Sequence, residues 1–375
     1  MSFKKVLVVS QLPPPVNGST LMTKTLVEQL GKLGIDTCVI SKSFSKDSDE
    51  IGKKYASKIL KIPRFLLGLV SANIKFSPKL VIYFLTNRVP SFYLDFLALS
   101  ILRMFRANVV LYLHTSGYEK LIRKSKLNAA LCRSAFSWAD KLVTLSPKLS
   151  SDITQFVPEL KIHSIANAVE DQFTLKSKVL PRKRFENKQI IFVGNLVEGK
   201  GYEEFLDASL KLRRKGLISK ALIIGAETKS GQILDMRKRV SQMSYENDVK
   251  ILGPRSREEI SRYLSESSVF VFPTTYEFEA QPLVIVEALS AGLPVVALGA
   301  GAIPDFFAIG QIGELLEPRQ ARDLADAIAR TLDDFDKWLA MSLTARKVYS
   351  RNHSMASYRK AWVDLLAELG LELEK

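Results

Sequence analysis

Apolar residues along the chain form short runs that alternate with longer amphipathic stretches. The runs at residues 6–10, 80–85 and 269–272 are almost wholly apolar, which is typical of strands buried on both faces of a parallel sheet. The stretch at residues 20–33 has helical spacing and ends before Gly34, a residue type that commonly stops helices. This alternation of strand and helix predicts α/β domains built on open, doubly wound parallel sheets.

The alternation occurs twice, so we expect two domains. The first set of predicted strands lies at residues 6–10, 37–41, 80–85, 108–113, 141–146 and 161–169. The second set lies at residues 190–193, 221–225, 249–253, 269–272 and 295–298. Residues 173–188 are polar and contain the sequence PRKR, so we predict that they link a domain of residues 1–172 to one of residues 189–353.

The C-terminal part of the chain has a helical pattern. Residues 320–332 and 335–349 are predicted helices, and Ser354 can cap a last helix at residues 358–369.

A basic stretch at residues 51–79 mixes lysine and arginine with isoleucine, leucine and phenylalanine. Such a stretch can lie in a membrane interface, with its lysines toward the lipid headgroups. It can equally form a pair of surface helices that cover the sheet. The sequence leaves both interpretations open.

The net charge of +15 is concentrated in the N-terminal half of the 375 residues. Residues 1–172 carry +12, residues 173–188 carry +5, and residues 189–375 carry −2. A basic half beside a nearly neutral half predicts an anionic partner for the first half. The candidates are nucleic acid, a membrane surface or a phosphorylated acceptor.

Several classes of protein are disfavoured by composition. The two cysteines, Cys38 and Cys132, stand in unrelated contexts, so neither a disulfide framework nor a zinc cluster is indicated, and a reducing cytoplasm fits. The apolar run at the N-terminus ends at Gln11 and is interpreted as a first strand rather than a signal peptide. We expect no membrane-spanning helix, because no apolar stretch approaches the required ~18 to 20 residues.

Candidate chemistry is densest at residues 274–305. Glu279 and Glu287 are separated by seven residues, and Pro282 between them suits the first turn of a helix. The start of that helix offers free N–H groups and a positive dipole end, which favour phosphate. Glu287 would lie roughly 7.5 Å farther along the helix axis, about the step from a diphosphate to a ribose. Glu279 precedes the helix and could hold hydroxyl groups of a sugar. The order carboxylate, amides, carboxylate therefore matches a sugar, a diphosphate and a ribose.

The sequence EAQPLVIVEAL from Glu279, followed by AGLPVV, resembles the paired-glutamate signature of the retaining glycosyltransferases of family 4. The resemblance implies the GT-B architecture, in which two Rossmann-like, doubly wound domains face across a cleft. It also implies that a C-terminal helix, here residues 354–375, crosses back to the first domain. The C-terminal domain would then bind the nucleotide-sugar donor, and the N-terminal domain would bind the acceptor.

Three further positions match the family. Gly18 lies in the loop after the first strand, where the family has a glycine-bearing loop beside the donor diphosphate. His114 follows the strand at residues 108–113, where the family often has a histidine near the reacting sugar. Lys200 ends a loop that resembles the family's phosphate loop, although Asn195 stands where an arginine is usual. Losing that guanidinium puts in question which cation neutralises the leaving group.

The resemblance thus implies a defined set of site residues. The catalytic residues are His114, Lys200 and Glu279. The donor-binding residues are Gly18, Gly194, Asn195, Lys200, Glu279, Gln281, Pro282, Leu283 and Glu287. No metal site and no cofactor are expected, because helix dipoles and cations stabilise the leaving diphosphate in GT-B enzymes.

We therefore expect a metal-independent, retaining glycosyltransferase that uses a UDP- or GDP-linked sugar. The expected acceptor is a glycan, carried on a polyprenyl diphosphate or on lipopolysaccharide, in the synthesis of bacterial surface polysaccharide. The expected location is the cytoplasmic face of an anionic membrane, with no nucleic-acid partner. Two alternatives stay open: a nucleotide-sugar 2-epimerase of the same fold, and a non-enzymatic protein that binds membranes or nucleic acid.

Overall fold

The computed structural model describes residues 5–14, 16–42, 61–170 and 180–371. The chain divides into two compact units. One contains residues 1–166 and 359–375, and the other contains residues 167–358. Residues 51–60 of the basic stretch and residues 173–179 of the predicted linker lie outside the described part of the chain.

The first unit is built on a six-stranded parallel sheet with the strand order β2-β1-β3-β4-β5-β6. Its strands are β1 (Lys5–Ser10), β2 (Asp36–Ser41), β3 (Leu80–Leu85), β4 (Val109–Leu113), β5 (Lys141–Thr144) and β6 (Ile162–Ser164). The chain leaves β1 toward one edge and then returns to build the other edge from β3. This reversal of direction places the topological switch point between β1 and β3, where doubly wound sheets bind ligands.

Helices cover the first sheet because right-handed crossovers to either side of β1 place them on opposite faces. They are α1 (Gly18–Lys32), α2 (Lys61–Lys75), α3 (Ser91–Met104), α4 (Tyr118–Arg123), α5 (Lys126–Trp138) and α6 (Pro147–Ser150). Short 3-10 turns follow at Thr154–Phe156 and Glu159–Lys161.

The second unit repeats the plan with the strand order β12-β11-β10-β7-β8-β9, again all parallel. Its strands are β7 (Gln189–Val193), β8 (Lys220–Ile224), β9 (Val249–Gly253), β10 (Val269–Phe272), β11 (Val295–Leu298) and β12 (Gly313–Leu316). The chain builds outward from β7 through β8 and β9, and then returns to the other side of β7 with β10. The switch point of this sheet therefore lies between β7 and β10.

The helices of the second unit pack around a large apolar core. They are α7 (Pro181–Glu186), α8 (Tyr202–Arg214), α9 (Gln232–Ser241), α10 (Arg257–Glu266), α11 (Leu283–Ser290), α12 (Ile303–Ile309), α13 (Leu324–Thr331) and α14 (Phe335–Val348). A 3-10 helix at Pro318–Asp323 precedes α13, and a π-helix at Tyr349–His353 follows α14. The last helix, α15 (Met355–Glu368), starts in the second unit and continues in the first.

The structure confirms the predicted α/β fold class, but three of its elements differ from the sequence prediction. The strand β12 was not predicted, because its sequence GELL is short and contains an acidic residue. The predicted helix at residues 320–332 begins only at Leu324, after the 3-10 helix. The last helix begins at Met355 rather than at residue 358, and the Ser354 hydroxyl accepts a hydrogen bond from the Ser357 N–H at 3.2 Å.

Part of the predicted linker is an integral piece of the second unit. Residues 181–186 form α7, and the Arg184 side chain is only 2% exposed. Its guanidinium donates hydrogen bonds to the backbone carbonyls of Leu264, Ser267 and Ala291. Burial lowers the pKa of Arg184 to about 9. The sequence PRKR is therefore not wholly a solvent-exposed charge run.

In the described part of the basic stretch, residues 61–75 form the helix α2. Phe65 and Leu69 on one side of this helix are buried, whereas Leu67 and Ile74 are 69% and 63% exposed. Among the described helices, none has both the length and the apolar character that crossing a bilayer requires.

Candidate functional site

The predicted phosphate loop and the first glutamate of the pair meet at the switch point of the second sheet. β7 and β10 are neighbouring parallel strands, so the loops at their carboxyl ends leave the sheet side by side. The loop after β7 contains Gly194 to Gly201, and the loop after β10 contains Thr274 to Pro282. Open α/β sheets bind ligands at this position.

Two glycines allow these loops to pack closely. Gly199 and Gly201 have φ angles of +83° and +87°, which L side chains rarely adopt. A Cβ atom on Gly201 would lie 2.3 Å from the carbonyl oxygen of Pro273. The Gly199 carbonyl accepts a hydrogen bond from the Thr275 N–H at 2.7 Å. The two loops are therefore joined backbone to backbone around Lys200.

Lys200 and Glu279 form an ion pair at this junction. The Lys200 Nζ donates to the Glu279 Oε2 at 2.6 Å, and the side chains are 21% and 7% exposed. The Thr274 hydroxyl lies 3.2 Å from the same oxygen. The ammonium group also lies 4.9 Å from the centre of the Tyr276 ring. Lys200 is thus held beside a carboxylate and over an aromatic face, where a partly desolvated cation can meet an anionic ligand.

The second glutamate of the pair lies on α11, as the fifth of its eight residues. Glu287 is 8% exposed, and its Oε1 lies 3.7 Å from the Nη2 of Arg257, the first residue of α10. Burial raises the pKa of Glu287 to about 7, although the Arg257 charge opposes the increase. The carboxyl group can therefore change its ionisation near neutral pH.

The residues before α11 are held by a contact from elsewhere in the second unit. Pro282 is the N-cap of α11, so the helix begins at Leu283 rather than at the proline. The side-chain oxygen of Gln281 accepts a hydrogen bond from the Asn167 N–H at 2.6 Å. The Gln281 carbonyl accepts another from the Asn167 Nδ2 at 2.9 Å.

Gly194 and Asn195 open the loop after β7. The Gly194 N–H donates to the Ile224 carbonyl at 2.9 Å, which continues the pairing of β7 with β8. The side chain of Asn195 is exposed. Lys200 is accordingly the one cationic side chain of this loop, residues 194–201.

Two predicted site residues, Gly18 and His114, belong to the first unit. Gly18 is the exposed first residue of α1. The preceding Asn17 caps this helix, since its side-chain oxygen accepts from the Thr20 N–H at 3.0 Å while the Thr20 hydroxyl accepts from the Asn17 N–H at 3.0 Å. This reciprocal capping explains why α1 starts at Gly18.

His114 directly follows the carboxyl end of β4. Its ring stacks on Phe84 with centroids 4.9 Å apart and meets Tyr112 at 4.1 Å. Burial lowers the pKa of His114 to about 3, so the imidazole is neutral at physiological pH. Its Nε2 atom is buried and has no hydrogen-bond partner among the described residues. Such a ring can exchange a hydrogen bond with a substrate hydroxyl but cannot neutralise a phosphate.

The loop after His114 is firmly anchored. Gly117 has a φ angle of +99°, and its N–H donates to the Asp152 carboxylate at 2.7 Å. The N–H groups of Tyr118 and Glu119, at the start of α4, donate to the same carboxylate at 2.7 and 2.9 Å. A carboxylate in this place stabilises the helix start.

Sequence reasoning did not assign Asn167, Arg257 or Thr274 to the site, although each of them contacts a glutamate or glutamine of the predicted set. Arg257 lies within a capping-box sequence, Ser256 to Glu259. This sequence predicts where a helix starts but not which side chain the arginine contacts. Within the described residues, no three His, Cys, Asp or Glu side chains are grouped as ligands for a metal ion.

Two family models, each matching one half, together match most of the chain. The model for glycosyltransferase family 4 matches residues 16–173, and the model for group 1 glycosyl transferases matches residues 176–348.

Curated relatives are similar at low identity. The amylovoran biosynthesis glycosyltransferase AmsK of Erwinia amylovora is 26% identical over 253 residues, covering 66% of this chain and 58% of the relative. The putative colanic acid biosynthesis glycosyltransferase WcaL of Salmonella typhimurium is 24% identical over 263 residues, covering 68% and 60%. These matches span less than two thirds of the length of either relative.

Solved structures resemble the chain along nearly its full length. HepE of Anabaena, in complex with UDP and glucose, has a TM-score of 0.71 at 17% identity, covering 97% of this chain and 100% of HepE. Sucrose-phosphate synthase of Thermosynechococcus elongatus has a TM-score of 0.76 at 16% identity, covering 98% and 99%. The two matching family models, together with the paired glutamates, show that the chain belongs to glycosyltransferase family 4, and the likeness to the solved structures shows the GT-B fold.

Proposed function

We propose that this chain transfers a sugar from a nucleotide-diphosphate donor to a glycan, with retention of the anomeric configuration. The observation that carries the proposal is the Lys200–Glu279 ion pair at the sheet switch point, 2.6 Å long, followed in the chain by the start of α11 and then by Glu287. This is the order of groups that a sugar, a diphosphate and a ribose require. Residues 189–353 would be the donor domain.

Lys200 has the role of stabilising the departing diphosphate. Its ammonium is the one cation of the loop after β7, because Asn195 stands where the family usually has arginine. The N–H of Leu283, at the start of α11, adds the positive end of a helix dipole. A cation and oriented amides near the leaving oxygen stabilise charge that develops only as the bond breaks.

The two glutamates have different roles. Glu279 accepts hydrogen bonds from hydroxyl groups of the donor sugar, and its contact with Lys200 joins the sugar site to the diphosphate site. Glu287 accepts hydrogen bonds from the ribose hydroxyls, for which its ionised form is the better acceptor.

The transfer step needs no enzyme nucleophile. The acceptor oxygen forms a bond to the anomeric carbon on the face from which the diphosphate leaves. The bond from that carbon to the phosphate oxygen breaks, and the acceptor proton passes to this oxygen. His114 is neutral, and we assign it a hydrogen bond to the reacting sugar. No metal ion or cofactor takes part in this proposal.

The acceptor is proposed to be a growing surface glycan on a polyprenyl diphosphate or on lipopolysaccharide, held at the cytoplasmic face of an anionic membrane. Residues 1–172 and 354–375 would form the acceptor domain. Support comes from the +12 charge of residues 1–172 and from relatives that are described as amylovoran and colanic acid biosynthesis glycosyltransferases. Surface cations contribute about 1 kcal/mol each near an anionic bilayer.

A thermal-shift screen of UDP, GDP and their sugars tests the donor assignment, because a ligand of the folded state raises the unfolding temperature. We expect one nucleoside diphosphate to stabilise the wild-type protein and to stabilise Glu287→Ala less. No stabilisation by any nucleotide would contradict the proposal. Turnover of the matching nucleotide sugar to an epimer without any acceptor would instead indicate a 2-epimerase.

A further inference from the structure

A reciprocal pair of hydrogen bonds joins Asn167 to Gln281. The backbone N–H of Asn167 donates to the side-chain Oε1 of Gln281 at 2.6 Å. The side-chain Nδ2 of Asn167 donates to the backbone carbonyl of Gln281 at 2.9 Å. Both residues are buried, at 3% and 6% exposure. Each side chain thus bonds to the backbone of the other residue, so the pair fixes two separate backbone segments and not only two side chains.

Asn167 is itself anchored on its other side. Its backbone carbonyl lies 2.9 Å from the Nδ1 of His353, which is 2% exposed. Burial lowers the pKa of His353 to about 4, so the ring is neutral and its Nδ1–H can donate to the carbonyl. Two residues farther along, the Val169 carbonyl accepts from the Tyr349 hydroxyl at 3.2 Å. The segment that carries Asn167 is therefore attached to the π-helix Tyr349–His353.

The contact between Asn167 and Gln281 lies directly before the start of α11. Gln281 immediately precedes Pro282, the N-cap of that helix, and the Leu283 and Val284 N–H groups follow. Pro282, as the N-cap, offers no side-chain hydrogen bond to this helix start. Asn167 supplies polar anchoring of the preceding residue from a position 114 residues away in the chain.

We propose that Asn167 is a positioning residue that holds Gln281 and, through it, the first amides of α11 in the orientation that receives the donor diphosphate. This inference rests on the proposed function, since it concerns the diphosphate part of the same site. It gives Gln281 a structural role in addition to its predicted contact with the donor, since its side-chain oxygen accepts from Asn167. Asn167 acts through Gln281 and is not a catalytic residue.

Two isosteric substitutions separate the effect of losing the Asn167 donor from the effect of adding a carboxyl group. Asn167→Asp replaces the Nδ2 donor by an oxygen that faces the Gln281 carbonyl. Gln281→Glu adds a negative charge to the same contact but keeps an oxygen that accepts from the Asn167 N–H. Because both variants lose the neutral amide and gain one carboxyl group, the difference between them reports the donor from Asn167.

The first measurement needs no nucleotide. Amide hydrogen exchange is followed in the full-length protein on a peptide that covers residues 279–290. We expect Asn167→Asp to accelerate exchange at Ile285, whose N–H donates to the Pro282 carbonyl at 3.2 Å, about tenfold relative to Gln281→Glu, the scale of an unmade buried hydrogen bond. A peptide that covers β10 should exchange as in the wild type in both variants, which shows that the unit is folded.

The second measurement is calorimetric binding of UDP and of uridine, or of GDP and guanosine where the guanine nucleotides bind. We expect Asn167→Asp to weaken the diphosphate about tenfold more than the nucleoside, because only the diphosphate meets the helix start. The inference would be overturned if the Ile285 amide exchanged no faster in Asn167→Asp than in Gln281→Glu, or if Asn167→Asp weakened binding of the diphosphate and of the nucleoside equally. If the wild-type protein binds neither nucleotide, the proposed function fails, and the exchange measurement alone decides the anchoring of α11.

Discussion

The ionisation of Glu287 predicts how the affinity for the nucleoside depends on pH. Its carboxyl group is buried, and burial raises its pKa from 4.5 to about 7 in the free protein. With that pKa, about nine-tenths of the group is ionised at pH 8 and about one-tenth at pH 6. If the ionised form alone binds the ribose hydroxyls, the apparent nucleoside Kd rises about tenfold as the pH falls from 8 to 6.

The same pKa predicts a cost in stability. A carboxyl whose pKa is raised by folding binds its proton more tightly in the folded state, so its stabilisation is present below pH 4.5 and is lost as the pH rises through about 7. A tenfold change in proton affinity corresponds to about 1.4 kcal/mol. Glu287→Gln should therefore raise the free energy of unfolding by up to about 3 kcal/mol at pH 8 relative to its effect at pH 4. The same variant should bind the nucleoside poorly at every pH.

Calorimetric titration with the nucleoside, between pH 6 and pH 8, is the decisive assay. A nucleoside is preferred to its diphosphate because the phosphate titrates in the same range. His114 and His353 have pKa values of about 3 and 4, so these two histidines do not titrate in this range. The third histidine, His163, belongs to the first unit, and burial lowers its pKa. Arg257 lowers the pKa of Glu287, and Arg257→Ala should move the binding transition to higher pH, while Arg257→Lys keeps the cation and should move it less.

Two results would refute this reasoning. One is a nucleoside Kd in the wild-type protein that stays constant from pH 6 to pH 8. The other is an identical transition in wild type, Arg257→Ala and Arg257→Lys, because the guanidinium lies 3.7 Å from the carboxylate and its removal cannot leave the charge balance unchanged.

Three other predictions concern the loops and the charge. Lys200→Ala should lower the transfer rate about 100-fold or more and change nucleoside affinity little, with Lys200→Arg as the charge-preserving control; equal losses in both measurements would indicate a general structural role. Gly201→Ala should lower the free energy of unfolding by more than ~2 kcal/mol, because its Cβ would lie 2.3 Å from the Pro273 carbonyl oxygen. Gly216→Ala, with φ +69° and open space around it, is the matched control, and equal denaturation midpoints would contradict the steric argument. In liposome flotation, binding to anionic vesicles should weaken with salt, and absence of binding at low salt would refute membrane attachment. Binding should also weaken on charge reversal at Lys53, Lys54, Lys58 and Lys61.

The contacts that the sequence analysis did not predict join residues that are far apart in the chain. Arg257 and Glu287 are 30 positions apart, and the separation of Asn167 from Gln281 is much larger. No local pattern links such residues, since each is ordinary for its own helix start or loop. Arg184 is a similar case. Its PRKR context predicts a solvated linker, yet three backbone carbonyls of the second unit accept from its guanidinium.

The sequence by itself determined the repeated strand and helix pattern and the positions of both glutamates and Lys200 along the chain. These features follow from apolar runs, helix stops and residue spacing, which act over a few neighbouring residues. Only the tertiary structure decided that Lys200 pairs with Glu279, that Glu287 is buried beside Arg257, and that Asn167 is hydrogen-bonded to Gln281. The physical reason is that ionisation, ion pairing and anchoring depend on which distant segments the sheet order brings side by side, and that order emerges only when the core packs.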